Sequence, residues 1–240
     1  MTIHVLNYAS GRFLKAQLLQ NVSWREFHTG ADLIVHSFQK DTLPTEYVNE
    51  EVAKILAIPK GDGLWAWKLL CISRVYDRAR EGDIIFYMDS GAHPTEPQTR
   101  LFDEIALKAS VFCKVPGFDE EGITRAWLRT LPLYSVKRGL IEEPNLFLAQ
   151  KWDKRVTAYP PGAVQVCGGF QGYLKCDRNT AFLKELRSMM TLANFDEVTN
   201  VQHQGYIDHR HDQTVLTEMV YKHGMNVVDG MPSILLHRAN

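Results

Sequence analysis

The chain has 240 residues, 45% hydrophobic and 23% charged, with a formal net charge of -1 at pH 7. That length supports one large α/β domain whose core needs neither disulfides nor metals, and the near-neutral charge removes any global electrostatic case for nucleic acid or an anionic membrane as partner. Four cysteines, Cys71, Cys113, Cys167 and Cys176, show no C-x-x-C spacing and read as reduced, buried small hydrophobes; with no signal-peptide pattern and no apolar run of membrane-spanning length, the expectation is a soluble, cytoplasmic protein.

Residues Ile3 to Leu6 form a short strand candidate, and Tyr8, Ala9, Ser10 and Gly11 then turn into a helix carrying Phe13, Leu14, Ala16, Leu18 and Val22 as its expected apolar face. Ala31 to Ser37 offers a second strand. Tyr47 to Leu56 reads as helical up to the breaker stretch from Pro59 to Gly63. In the next helix, Trp65, Leu69, Ile72, Tyr76 and Ala79 fall at i, i+4, i+7, i+11 and i+14, a single core-facing stripe. Trp67 would lie about 200° round from Trp65 and off that stripe, while Lys68, in the first turns, could reach a phosphate at the same sheet edge.

Gly82 to Gly91 follows at once and is the most informative segment. Ile84 to Met88 is the near-continuous apolar run of a strand buried on both faces, and it delivers Asp89 into the small-residue turn Ser90 and Gly91. Ligands of open α/β sheets sit beyond the carboxyl ends of such strands, so a metal ion or diphosphate could approach Asp89 and the adjoining backbone closely. The plainer reading is that Asp89, Ser90 and Gly91 simply make a turn.

Beyond a loop at Ala92 to Pro97, Arg100 to Ser110 reads as a helix and Val111 to Val115 as a strand. Residues 116–161 are the least periodic part and are read as a substrate-facing insertion within a single domain spanning 1–240. Ala163 to Lys175 is a strand broken by Gly168, Gly169 and Gly172, the mark of a bulge or close backbone approach. Asp177, Asn179 and Thr180 supply N-cap candidates for a helix with Phe182, Leu183, Leu186, Met189 and Met190 inward. Asp212 and Gln213 then open a helix with Val215, Leu216, Met219 and Val220 inward, and a short strand follows near Met225 to Val228. A carboxylate in a first turn caps the helix whatever the protein does, but Asp212 shares its face with Leu216 and Met219 and so points toward the interior or a cleft. The run His209, Arg210, His211 and Asp212 also suggests a zinc hydrolase, weakly, because no third histidine follows at short spacing.

In order and spacing these segments resemble the GT-A-fold glycosyltransferases that use nucleotide-diphosphate sugars. The resemblance rests on Tyr8 to Gly11, on the Trp-x-Trp-Lys run Trp65 to Lys68, on Gly82 to Gly91, on Lys151 to Arg155, on Gly168 to Phe170 and on His209 to Leu216. It implies an α/β, GT-A-like Rossmann-type, mostly parallel sheet flanked by helices. It further implies that Tyr8 and Ala9 hold base and ribose, that Trp67 and Lys68 with Asp89 and Gly91 flank the diphosphate, and that Gly168 and Gly169 lie against the sugar. Asp212 and Gln213 resemble the family's catalytic Asp-Gln pair, and Asp89 with His237 the ligands of Mn2+ or Mg2+. The strand end carries Asp89, Ser90 and Gly91 where many members carry Asp-x-Asp, so one carboxylate is missing; without a metal, Lys68, Arg12 or Arg155 must supply the positive charge. The expected partners are a nucleotide-sugar donor, UDP- or GDP-linked, and a glycan acceptor. The alternatives are a sugar-phosphate nucleotidyltransferase and a non-catalytic sugar-nucleotide or glycan-binding module.

Overall fold

The computed structural model describes residues 1–29, 32–114, 166–195 and 211–228, and the backbone of 234–236. The insertion at 116–161, the Lys151 to Arg155 run, His209 and His237 lie outside the described residues. Six strands form the main sheet: β1 (Ile3–Tyr8), β2 (Leu33–Phe38), β3 (Ile84–Met88), β5 (Ser110–Lys114), β6 (Val166–Leu174) and β7 (Val227–Val228), in the order β2-β1-β3-β6-β5-β7. The pairs β1–β2, β1–β3 and β5–β7 are parallel, and β6 runs antiparallel to both β3 and β5. A second, two-stranded sheet pairs β4 (Ala92–Pro94) with β8 (Ile234–Leu236).

The unbroken apolar character of β3 follows from its position at the centre of the sheet, where both faces are covered. Ile84, Phe86 and Met88 pack on one side with Trp24 of α1 (Leu14–Phe27) and with Phe102 and Ile105, while Ile85 and Tyr87 pack on the other with Leu70, Phe182 and Val215. The first side is completed by α5 (Thr99–Lys108); the second by α4 (Trp67–Arg78), α6 (Asp177–Ser188) and α8 (Asp212–Lys222). Shorter helices are α2 (Glu50–Leu56), α3 (Gly61–Leu64) and α7 (Leu192–Phe195). No helix among the described residues is long and apolar enough to cross a membrane.

Three sequence expectations are corrected. In α1, Leu14, Leu18 and Val22 are exposed, and the buried face is Gln17, Gln20, Ser23 and Trp24. The reason is that α1 lies against strand ends whose carbonyls need donors: the Gln17 amide donates to Phe38 O (3.0 Å), and the Gln20 amide to Asp89 O (2.8 Å) and Ala92 O (2.6 Å). The helix expected to begin at Trp65 begins at Trp67, because Asp62, Gly63, Leu64 and Trp65 all have positive φ and break the helical phase. Finally, α6 is preceded by Cys176, whose side chain makes no capping bond, and Asn179 points back instead, donating to Ala109 O and Leu174 O at 2.6 and 2.7 Å.

Candidate active site

Asp89 leaves the end of β3 with its backbone fixed on both sides: its N–H donates to Gly169 O at 2.9 Å, and its carbonyl accepts from Gln20. The carboxylate is half-exposed. One oxygen accepts from Tyr87 OH at 2.5 Å, and burial followed by the charge of Asp89 holds that phenol well above its usual range, so Tyr87 stays a donor. The same oxygen stands 3.4 Å from the Lys68 ammonium.

Lys68 sits in the first turn of α4 and is almost fully buried, with Asp212 Oδ2 on its other side at 3.2 Å. Burial alone would lower its pKa, but the charges of Asp212 and Asp89 outweigh burial and raise it, so the amine stays protonated. Asp212 opens α8; burial, against the opposing pull of Lys68, raises its carboxyl from 3.8 to about 6. Two carboxylates far apart in sequence therefore converge on one ammonium.

Strand β6 passes beside this trio, and its glycines are what let it through. A Cβ on Gly169 would lie 2.6 Å from Asp89 Oδ2, and one on Gly168 3.2 Å from Asp212 Oδ2 and 3.3 Å from Gln213 Cβ. The Gly168 N–H donates to Gln213 Oε1 at 3.1 Å, and Thr217 ties α8 to β6 by accepting from Val166 N at 3.1 Å. The glycines read as breaking a strand are thus inside a continuous one, at a close approach.

Next to Asp89 opens a cleft of about 250 Å³. Tyr8, Ala9, Asp62, Trp65 and Trp67 line it, with Asp89, Ser90 and Gly91 also contributing. Tyr8 and Trp67 stack at 3.9 Å between centroids, and the Trp67 indole donates to Gly61 O at 3.0 Å. Both tryptophans line the cleft, but their burial differs from expectation: Trp67 is buried, and Trp65 is half-buried and stacked 5.8 Å from His211. His211, weighed as a zinc ligand, instead bonds through Nδ1 to Phe195 O at 2.7 Å. Arg12 is exposed, its guanidinium over the Phe13 ring.

The structure therefore brings Tyr8, Ala9, Trp67, Asp89 and Gly91 to one cleft, with Lys68, Asp212, Gln213, Gly168 and Gly169 packed at the same strand end. Sequence reading missed Asp62, which lies in a stretch legible only as a helix breaker, and misplaced Trp65 by continuing the helical stripe of α4 back to it. The described residues alone offer no site for Mn2+ or Mg2+, and His237, the second expected ligand, lies outside them. The strand end offers one carboxylate, the Lys68 ammonium lies between it and Asp212, and among the described residues no group of three His, Cys, Asp or Glu is disposed to hold an ion.

The mixed six-stranded sheet flanked by helices matches the GT-A glycosyltransferase fold. Among solved structures of that fold, galactosyltransferase LgtC in complex with donor and acceptor sugar analogs is similar at TM-score 0.50 and 10% identity, over 95% of this chain and 73% of that one. An active-site mutant of LgtC gives TM-score 0.52 and 11% identity, over 95% and 72%. No family model and no curated protein sequence matches the chain.

Proposed function

We propose that the chain is a glycosyltransferase that moves a sugar from a nucleotide-diphosphate donor, UDP- or GDP-linked, to a hydroxyl of a glycan acceptor. The observation that carries this reading is the convergence of Asp89 and Asp212 on the Lys68 ammonium beside an aromatic-lined cleft, within a GT-A fold. The donor's diphosphate lies at the Asp89, Ser90 and Gly91 end, where Lys68 offsets charge that builds on it as the sugar leaves. Such stabilisation acts more strongly on the transition state than on the bound substrate, and so accelerates transfer.

Asp212 stands beside the anomeric carbon. With its carboxyl near 6 it is mostly ionised at neutral pH, so it can take the acceptor's hydroxyl proton if configuration inverts. If configuration is retained, it orients the two substrates. Gln213, fixed by the Gly168 N–H, lies alongside. No step in this scheme passes through a metal ion.

Release of nucleoside diphosphate from a panel of UDP- and GDP-sugars, with and without manganese, tests the reading. Wild type is expected to release it, and Asp89→Ala, which removes one of the two carboxylates that position the Lys68 ammonium, to lose about a hundredfold, the scale of a misplaced charged group. Equal release by both proteins would overturn the site assignment; no release from any donor by wild type would overturn the reaction.

A further inference from the structure

The strain in this backbone is concentrated around the cleft. Of the five described non-glycine residues with positive φ, Asp62, Leu64, Trp65 and His211 are gathered there. Such conformations cost free energy and persist only where the surroundings impose them, commonly at ligand clamps. The surroundings here are definite. Leu64 is buried, the Gly63 N–H donates to Ile58 O at 2.8 Å, and Gly61 O accepts from the Trp67 indole. What this arrangement presents is the Asp62 carboxylate: Oδ2 accepts from the Ser10 hydroxyl and, at 3.3 Å, from Tyr8 OH. Burial and then Asp62 push the Tyr8 phenol up to about 12, so it remains the donor of that pair.

We propose that Asp62 is the acceptor for the ribose 2′-hydroxyl of the donor nucleotide. This rests on the glycosyltransferase reading above and adds to it the residue that recognises the sugar of the nucleoside. A carboxylate accepts hydrogen bonds and cannot donate them, so Asp62 suits the hydroxyl donors of a ribose. The order of groups in the site matches the order in the ligand. The Lys68 ammonium lies 5.7 Å from the Trp67 ring, Trp67 stacks on Tyr8, and the Tyr8 hydroxyl reaches Asp62. One aromatic pair therefore separates the group assigned to the diphosphate from the carboxylate, and ribose is the next unit along the nucleotide. The half-buried Phe13 and Trp65 rings that also line the cleft give the base apolar faces to stack on.

The test is calorimetric binding of UDP, GDP and their 2′-deoxy forms to wild type, Asp62→Gly and Asp62→Asn. Glycine removes the carboxylate where the left-handed backbone suits it; asparagine keeps the shape and tolerates the same backbone without the charge, and melting temperatures report that both variants are folded. Wild type should bind the ribonucleotide about tenfold or more tightly than the deoxy form. Asp62→Gly should lose about ten- to a hundredfold for the ribonucleotide, the loss expected of a hydrogen bond to a charged group, and little for the deoxy form, bringing the two level. Asp62→Asn should fall between. Unchanged ribonucleotide binding by Asp62→Gly, or equal losses for both nucleotides, overturns the ribose assignment and leaves the glycosyltransferase reading standing. If wild type binds neither UDP nor GDP, the function and this inference fall together.

Discussion

Lys68 is the residue on which the site's electrostatics turn. Its ammonium is nearly inaccessible and shared by two carboxylates, so Lys68→Met removes the cation and leaves both anions facing each other. Breaking a buried pair in this way costs about 3–5 kcal/mol, and because Asp89 is half-exposed and can rehydrate, the lower end is expected, read by urea unfolding. Turnover should fall with it. Lys68→Arg should not preserve activity, since a planar guanidinium does not replace a compact ammonium held 3.4 and 3.2 Å from two carboxylates. Asp212 supplies a second test. Its folded-state pKa of about 6 lies above the value of 3.8 for a free carboxyl, so the native protein holds a proton through that window that the unfolded chain releases. The stability this contributes is lost as pH rises from 3.8 to 6, while the ionised form needed to accept a proton appears. The kcat/KM profile should accordingly rise with a limb near pH 6 and level above 7; a flat profile between pH 5 and 7 would count against Asp212 as base.

Among the elements, the loop leading into α4 shows where sequence reasoning ran out. Asp89 and Asp212 are legible because each is a lone carboxylate at the end of an apolar strand or the start of an apolar helix, and periodicity tells where such positions point. Trp65 is not legible in that way. It continues the i, i+4 stripe of α4 numerically, yet it is the last of a run of positive-φ residues that ends before the helix starts, and phase does not carry across such a break. Likewise α1 has an apolar stripe that faces solvent, because the carbonyls at the ends of β2 and β3 call for amide donors rather than for leucines. Gly63 gives the loop its own test. With φ +97, and with a Cβ placed 2.7 Å from the Leu56 Cα, alanine must move backbone on both sides. Gly63→Ala should cost at least about 2 kcal/mol in denaturant unfolding, and weaken nucleotide binding by displacing Asp62 and Trp65. Gly82→Ala, with φ +81 but nothing within 4 Å of the added Cβ, is the control for backbone strain alone.

At the scale of the molecule, the α/β class and the central place of β3 were readable from the alternation of strand and helix patterns and from the two-sided apolar run. The direction of β6 was not. Its residues pack on both faces like those of a parallel strand, and only the pairing of Ile84 with Leu174 through Met88 with Phe170 reveals that it runs the opposite way. That reversal matters for the site, since it carries Gly168 and Gly169 to the same edge as the end of β3. Sequence could mark those glycines as a close approach, but could not say that the approaching groups are Asp89, Asp212 and Gln213.

The carboxyl of Asp212, held near 6 and so mostly ionised at neutral pH, would find the negative charges of a bound nucleoside diphosphate in its neighbourhood. The response is chemical rather than conformational: the equilibrium shifts toward the acid form, and binding at pH 7 draws a fraction of a proton from the medium. Titrations of UDP in buffers of different ionisation enthalpy should therefore give apparent heats that vary linearly with that enthalpy, with a slope that disappears in Asp212→Asn. During turnover the same shift would keep the abstracted hydrogen ion on the protein until the spent nucleotide departs, so that product release and reset of the base become one event.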